Sequence, residues 1–270
     1  MRLLSNRSSV GCTSTLWLAL ILTLLPAVRP APAETVTIAA AADLTYCMED
    51  LNRSYQQSHP DTELRLSIGS SGNFSTQIQN GAPFDVFLSA DIQYPKNLAS
   101  TGFVDPSTLA VYAVGRIVLW TTKPDTVNLD RGIDILRDRA AVRKIAIANP
   151  EHAPYGRAAK AILENSGIWA AVQDRIVQGE NIAQTTQFVQ TGNVDAGFVA
   201  LSLLSSPNLK HIGRYIEIDP KLYPKLEQAM VLTTTGSKRP AVRAYFQFLQ
   251  SQAARKIFDQ YGFTLPAPNN

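Results

Sequence analysis

Apolar and polar positions along this chain alternate between two rhythms. Residues 36–41 (VTIAAA) form a short apolar run with the length of a buried strand. In 44–57, Leu44, Met48, Leu51 and Tyr55 recur at helical spacing, and His59-Pro60 ends the pattern. Residues 62–68 (TELRLSI) alternate with period two, as a half-buried strand does. A turn is expected at 69–72, then a helix to Asn80, then a strand over 84–89 (FDVFLS). Strands are also predicted at 144–148, 175–178 and 196–200, with helices over 156–166 and near 182–191. This βαβα order predicts an α/β fold with mostly parallel sheets flanked by helices.

Two segments interrupt the rhythm. Residues 111–121 (VYAVGRIVLWT) read as one uninterrupted apolar strand, and 228–235 (QAMVLTTT) as its counterpart, followed by two more helical stretches. Two long segments crossing between lobes suggest a hinge. The expected division is lobe one at 34–113 plus 226–270 and lobe two at 114–225; the alternative is a single doubly wound sheet.

The first 33 residues carry a different message. Arg2 and Arg7 precede an apolar stretch at 15–25, Pro26 breaks it, and Ala31-Pro32-Ala33 supplies small residues for cleavage before Glu34. That is a secretory signal peptide over 1–33. Its apolar run is about half of the ~20 residues a membrane span needs. Cys12 lies ahead of the run, whereas a lipoprotein cysteine would follow it. Taking the leader's three arginines from the 25 basic and 22 acidic residues leaves 22 of each, so the exported chain is formally neutral. No basic run or aromatic-basic stripe points to nucleic acid. One cysteine, Cys47, remains, on the apolar side of the first helix, and reads as a small buried hydrophobe. The 237 residues after Ala33 suffice for two lobes with ordinary cores.

Four short segments each close a strand-like run and open a helix-like one: Ala41-Ala42-Asp43-Leu44, Ser70-Ser71-Gly72, Pro154-Tyr155-Gly156 and Glu180-Asn181-Ile182. Open α/β sheets bind ligands beyond the carboxyl ends of their strands. There the first N–H groups of each helix lack partners and carry partial positive charge, which suits anions without any cationic side chain. Four such ends, two from each lobe, are expected to surround a tetrahedral dianion.

Residues 40–44 (AAADL), 69–72 (GSSG), 81–91 (GAPFDVFLSAD), 149–156 (NPEHAPYG), 196–200 (AGFVA) and 261–263 (YGF) together resemble the periplasmic molybdate-binding proteins of ABC importers, in order and along essentially the whole exported chain. The resemblance implies the two-lobed type II periplasmic-binding-protein fold with a ligand cleft between lobes. It implies a periplasmic monomer with molybdate or tungstate as ligand, no cofactor, and a membrane permease and ATPase as partners. Carried over residue by residue, the ligand contacts are Ala42, Asp43 and Ser71 from lobe one, and Tyr155 and Ile182 from lobe two, the last through its backbone N–H. Molybdenum would be held only as the oxyanion by these same residues, with no side chain on the metal. Tyr155 stands for the phenolic donor that other members place near the position of Ala200.

Asp43 departs from the neutral Ser or Asn usual in the family. A carboxylate about 4 Å from a dianion repels it by roughly 8 kcal/mol at an effective dielectric of 20, the whole binding energy of a micromolar complex. The carboxylate is therefore expected to turn away and cap its own helix. Otherwise it is protonated, or the ligand brings a proton for it to accept. Sulfate or phosphate is the alternative ligand. An enzyme built on Ser71 would want G-x-S-x-G and a triad histidine, and Gly69-Ser70-Ser71-Gly72-Asn73 does not fit that register. His59, His152 and His211 lack metal-site spacing.

Overall fold

The computed structural model describes residues 34–267, so the expected signal peptide lies outside the described residues. β1 (Glu34–Ala41) enters a 3₁₀ turn at Ala42–Leu44 and then α1 (Thr45–Gln56). α1 buries Cys47, Met48, Leu51 and Tyr55, the stripe its periodicity predicts. β2 (Thr62–Gly69), α2 (Ser71–Gln79), β3 (Val86–Ser89), α3 (Gln93–Ser100) and β4 (Ala110–Val114) complete the first half.

The chain then builds a second sheet from β5 (Ile117–Thr121), β6 (Ile145–Ala148), α4 (Pro154–Asn165), α5 (Trp169–Val172), β7 (Ile176–Gly179), α6 (Ile182–Gln190), β8 (Ala196–Ala200), α7 (Leu201–Leu204) and β9 (Arg214–Glu217). It returns through β10 (Glu227–Leu232) to the first sheet and ends in α8 (Pro240–Leu249) and α9 (Gln252–Gln260).

The sheets run β2-β1-β3-β10-β4 and β7-β6-β8-β5-β9. They share one plan. In the first, β1 lies parallel between β2 and β3, and β10 lies antiparallel between β3 and β4. In the second, β6 lies parallel between β7 and β8, and β5 lies antiparallel between β8 and β9. Each sheet is covered on both faces. Val36, Ile38 and Ala40 of β1 pack with α1, α8 and α9, while Ala39 packs with Phe74 and Ile78 of α2. In the second sheet, Ile145 and Ile147 of β6 pack with α4, and Ala146 packs with Val189 of α6. The result is the two-lobed type II fold. Among the described residues no helix is long and apolar enough to cross a membrane.

The expected single strand over 111–121 is corrected. It is two strands in two sheets, broken at Gly115-Arg116 where the chain crosses between lobes. The residue at the break packs too tightly for a side chain. A Cβ on Gly115 would overlap the Tyr155 hydroxyl and approach the Gln228 amide nitrogen within 2.6 Å. The crossing therefore passes close against the Tyr155 hydroxyl and the Gln228 amide, where glycine leaves room for both.

Candidate functional site

Register puts the strand ends together. Ala41 pairs with Gly69 at the carboxyl ends of β1 and β2, so the 3₁₀ turn and α2 begin side by side. Ala148 pairs with Gly179 at the ends of β6 and β7, which sets the α4 loop beside the start of α6. The two pairs of ends face each other across a small cavity. Ala42, Asp43, Ser71, Tyr155 and Ile182 all line it, so the structure brings together the five residues expected as ligand contacts. Ser70, Ala90 and Asn181 add to the wall, and no Lys or Arg does.

Capping decides which N–H groups remain for a ligand. Asn181 is the N-cap of α6, and its side-chain oxygen accepts from Ala183 and Gln184, both at 3.0 Å. The N–H of Ile182, at the first helical position, is left over. In α2 the Ser70 Oγ accepts from Asn73 (3.4 Å), and the N–H of Gly72 donates to the His152 carbonyl (2.9 Å). Ser71 is again the position left. Pro154 opens α4 and has no N–H, so Tyr155 presents the first one there. Ala42 and Asp43 hold the equivalent places in the 3₁₀ turn. The Ser71 Oγ accepts from the N–H of Ala90 at 2.9 Å, which leaves its own hydrogen for the cavity.

Asp43 overturns an expectation. The 3₁₀ turn and α1 both lack a side-chain cap, so the carboxylate does not cap its own helix. It is 1% exposed, and its Oδ2 accepts from Gln228 Nε2 at 2.5 Å and from the Tyr155 hydroxyl at 3.1 Å. Asp43 is the second residue of a single 3₁₀ turn, and its carboxylate meets Gln228 of β10 and Tyr155 of α4. Gln228 Oε1 accepts from the Tyr112 hydroxyl at 2.7 Å, and the Asp43 carbonyl accepts from Ser202 Oγ at 2.7 Å. Asp43 Oδ1 is buried without a partner. Burial pushes the carboxyl up to about 6, against the lowering effect of the Gln228 and Tyr155 hydrogen bonds. Burial, followed by the charge of Asp43, pushes the Tyr155 and Tyr112 hydroxyls well above the usual phenol range. Tyr155 was expected to aim its hydroxyl at an anion, whereas here that hydroxyl serves Asp43.

Gln228 was missed in the sequence. The available signal was a polar residue heading the apolar run 228–232 (QAMVL), which as a fully buried amide needs partners.

Around the cavity the lobes are joined by polar contacts. His152 Nδ1 meets Ser70 Oγ at 2.9 Å, Asn73 Nδ2 donates to Glu180 at 2.8 Å, and Arg157 donates to Asp91 at 2.6 Å and to the Tyr94 hydroxyl at 2.9 Å. His152 therefore pairs with Ser70, not with Ser71. Among the described residues no cluster of His, Cys, Asp and Glu is placed to hold a metal ion.

The model of the family described as bacterial extracellular solute-binding protein matches residues 36–264. The chain is 38% identical over 237 residues to the molybdate-binding protein ModA of Azotobacter vinelandii, covering 87% of this chain and 92% of that one. It is 36% identical over 234 residues to the ModA of Rhodobacter capsulatus, covering 87% and 90%. The solved structure of the Azotobacter vinelandii periplasmic molybdate-binding protein superposes with a TM-score of 0.80 at 30% identity, covering 86% of this chain and 99% of that one.

Proposed function

The chain belongs to the bacterial extracellular solute-binding proteins, and from that premise we propose that it captures molybdate, and tungstate, in the periplasm and delivers it to the permease and ATPase of an ABC importer. The observation that carries this reading is the cavity itself. Helix starts from both sheets converge on it, and the backbone N–H groups they present are neutral donors. The contacts proposed are the N–H groups of Ala42, Asp43, Ser71, Tyr155 and Ile182 together with the Ser71 hydroxyl. The lobes are proposed as 34–113 plus 226–270 and 114–225, a division supported by the sheet membership of β4, β5, β9 and β10. The protein acts as a monomer without a cofactor, is exported by cleavage near Ala33, and is a carrier rather than an enzyme. That last reading is supported by its solute-binding relatives.

Fixed neutral donors select by size and by full deprotonation of the ligand. Calorimetric titration of molybdate, tungstate, sulfate and phosphate should show at least ~100-fold preference for the first two, about 2.7 kcal/mol. Displacement of molybdate by sulfate or phosphate at comparable concentration would overturn the assignment.

A further inference from the structure

Asp43 combines three features that the binding reading leaves unused. First, its two carboxyl oxygens differ. Oδ2 faces two donors, Gln228 Nε2 and the Tyr155 hydroxyl, and the Gln228 amide is oriented by the Tyr112 hydroxyl on its oxygen. Oδ1 is buried with no partner, in a residue that lines the cavity. A proton on this carboxyl has only one place to sit, because Oδ2 already accepts twice. Second, no ionised group nearby compensates the charge, and only neutral hydrogen-bond donors meet it. The titratable groups facing Asp43 are Cys47 from α1, Tyr112 from β4 and Tyr155 from α4, all neutral and all pushed upward, chiefly by burial. β2, α2, α6, α7 and β10 bring no ionised side chain to it, and His152 at the rim faces Ser70 and Glu180. Third, Asp43 is part of the cavity wall, and Oδ1 is the one carboxyl oxygen there that no protein group satisfies.

We propose that Asp43 is a neutral carboxylic acid when the site is loaded, with its hydrogen on Oδ1 donated to an oxygen of the bound anion, so that binding takes up one proton from solvent. This inference rests on the oxyanion reading above. It makes Asp43 a donor like the others in the ring, and it removes the repulsion that a carboxylate would impose. No covalent bond changes, and the proton returns to solvent on release. Burial already holds the carboxyl near 6 without a ligand, and an adjacent dianion raises it further. The protonated form is the one that binds. Affinity is therefore full below about 6 and falls about tenfold per pH unit above it, until the pKa of the loaded protein is reached.

Sodium molybdate titrated into native protein and Asp43→Asn between pH 5.5 and 8.5 tests this. The native protein should weaken about tenfold per pH unit above pH 6. At pH 7.5, heats measured in two buffers of different ionisation enthalpy should report about one proton taken up per molybdate. The Asn variant carries a fixed amide donor and should bind with constant affinity and no proton uptake. A pH-independent Kd in the native protein, no uptake in the buffer pair, or the same uptake in both proteins overturns the proposal while leaving molybdate as the ligand. The buffer comparison needs only native protein, so it decides even where the variant does not fold. Failure of native protein to bind molybdate or tungstate at pH 5.5 removes both this inference and the oxyanion reading.

Discussion

Replacing Asp43 by Asn should stabilise the ligand-free protein at pH 8 and leave it unchanged at pH 4. The native carboxyl is raised from 3.8 to about 6, with burial as the main cause and the hydrogen bonds of Gln228 and Tyr155 opposing it. A raised folded value means that between about 4 and about 6 the native state holds the proton more firmly than the unfolded chain does. Stability therefore falls as pH rises through that window, and the deficit is complete above it. Two units at about 1.4 kcal/mol each make the deficit about 3 kcal/mol. Asn has the same shape. Its oxygen accepts from both donors, and its nitrogen takes the place of the hydroxyl that protonated Asp43 leaves unpartnered. The variant thus resembles the protonated native protein and escapes the deficit. In a chain of this size, about 3 kcal/mol corresponds to roughly 6–12 °C in Tm. Scanning calorimetry should show that gain at pH 8 and less than about 2 °C at pH 4. A gain equal at both pH values, or a variant less stable at pH 8, would refute the picture of a buried, poorly compensated carboxylate.

Three further substitutions probe the contacts around it. Tyr155→Phe removes a donor to the carboxylate, worth about 1.5–3 kcal/mol when the acceptor is charged, so the drop in Tm should be larger at pH 8 than at pH 4; a pH-independent drop would detach the hydroxyl from Asp43. Gly72→Ala places a Cβ 2.7 Å from the His152 carbonyl oxygen, across the interlobe hydrogen bond, and should weaken molybdate binding at least ~10-fold in calorimetry. An unchanged Kd would show that the lobes grip the anion without that contact. Arg157→Ala breaks a partly exposed pair with Asp91, worth about 0–1 kcal/mol, and should cost no more than ~5-fold in affinity; a loss above ~30-fold would put Arg157 in the site itself.

The sequence reveals some parts of this molecule more readily than others, for a physical reason. A ring of helix starts is written locally: strand-like residues, a small or turn-forming residue, then helical spacing. GSSG, APYG and ENI each carry that pattern, so the cavity-lining positions could be read without knowing what faced them. The exposed edge strand β9 (RYIE) and the proline-containing α3 lack an apolar rhythm and left no comparable trace. The break at Gly115 was hidden because glycine inside an apolar run looks like continuity until the second sheet is known.

The Asp43 carboxylate was the least legible feature because its partners are distant. Gln228 stands 185 residues away and Tyr155 112 residues away. Local rules offered a helix cap, and the local geometry declines it, since the residue falls at the second position of a single 3₁₀ turn headed by Ala41. Only the closing of β10 against β3 and β4 delivers the amide that the carboxylate meets. The same crossing sets Gly115 against that amide and the Tyr155 hydroxyl. Hinge and carboxylate are thus one packing unit: any movement of the lobes that shifts Tyr155 relative to Gln228 also changes the donors around Asp43.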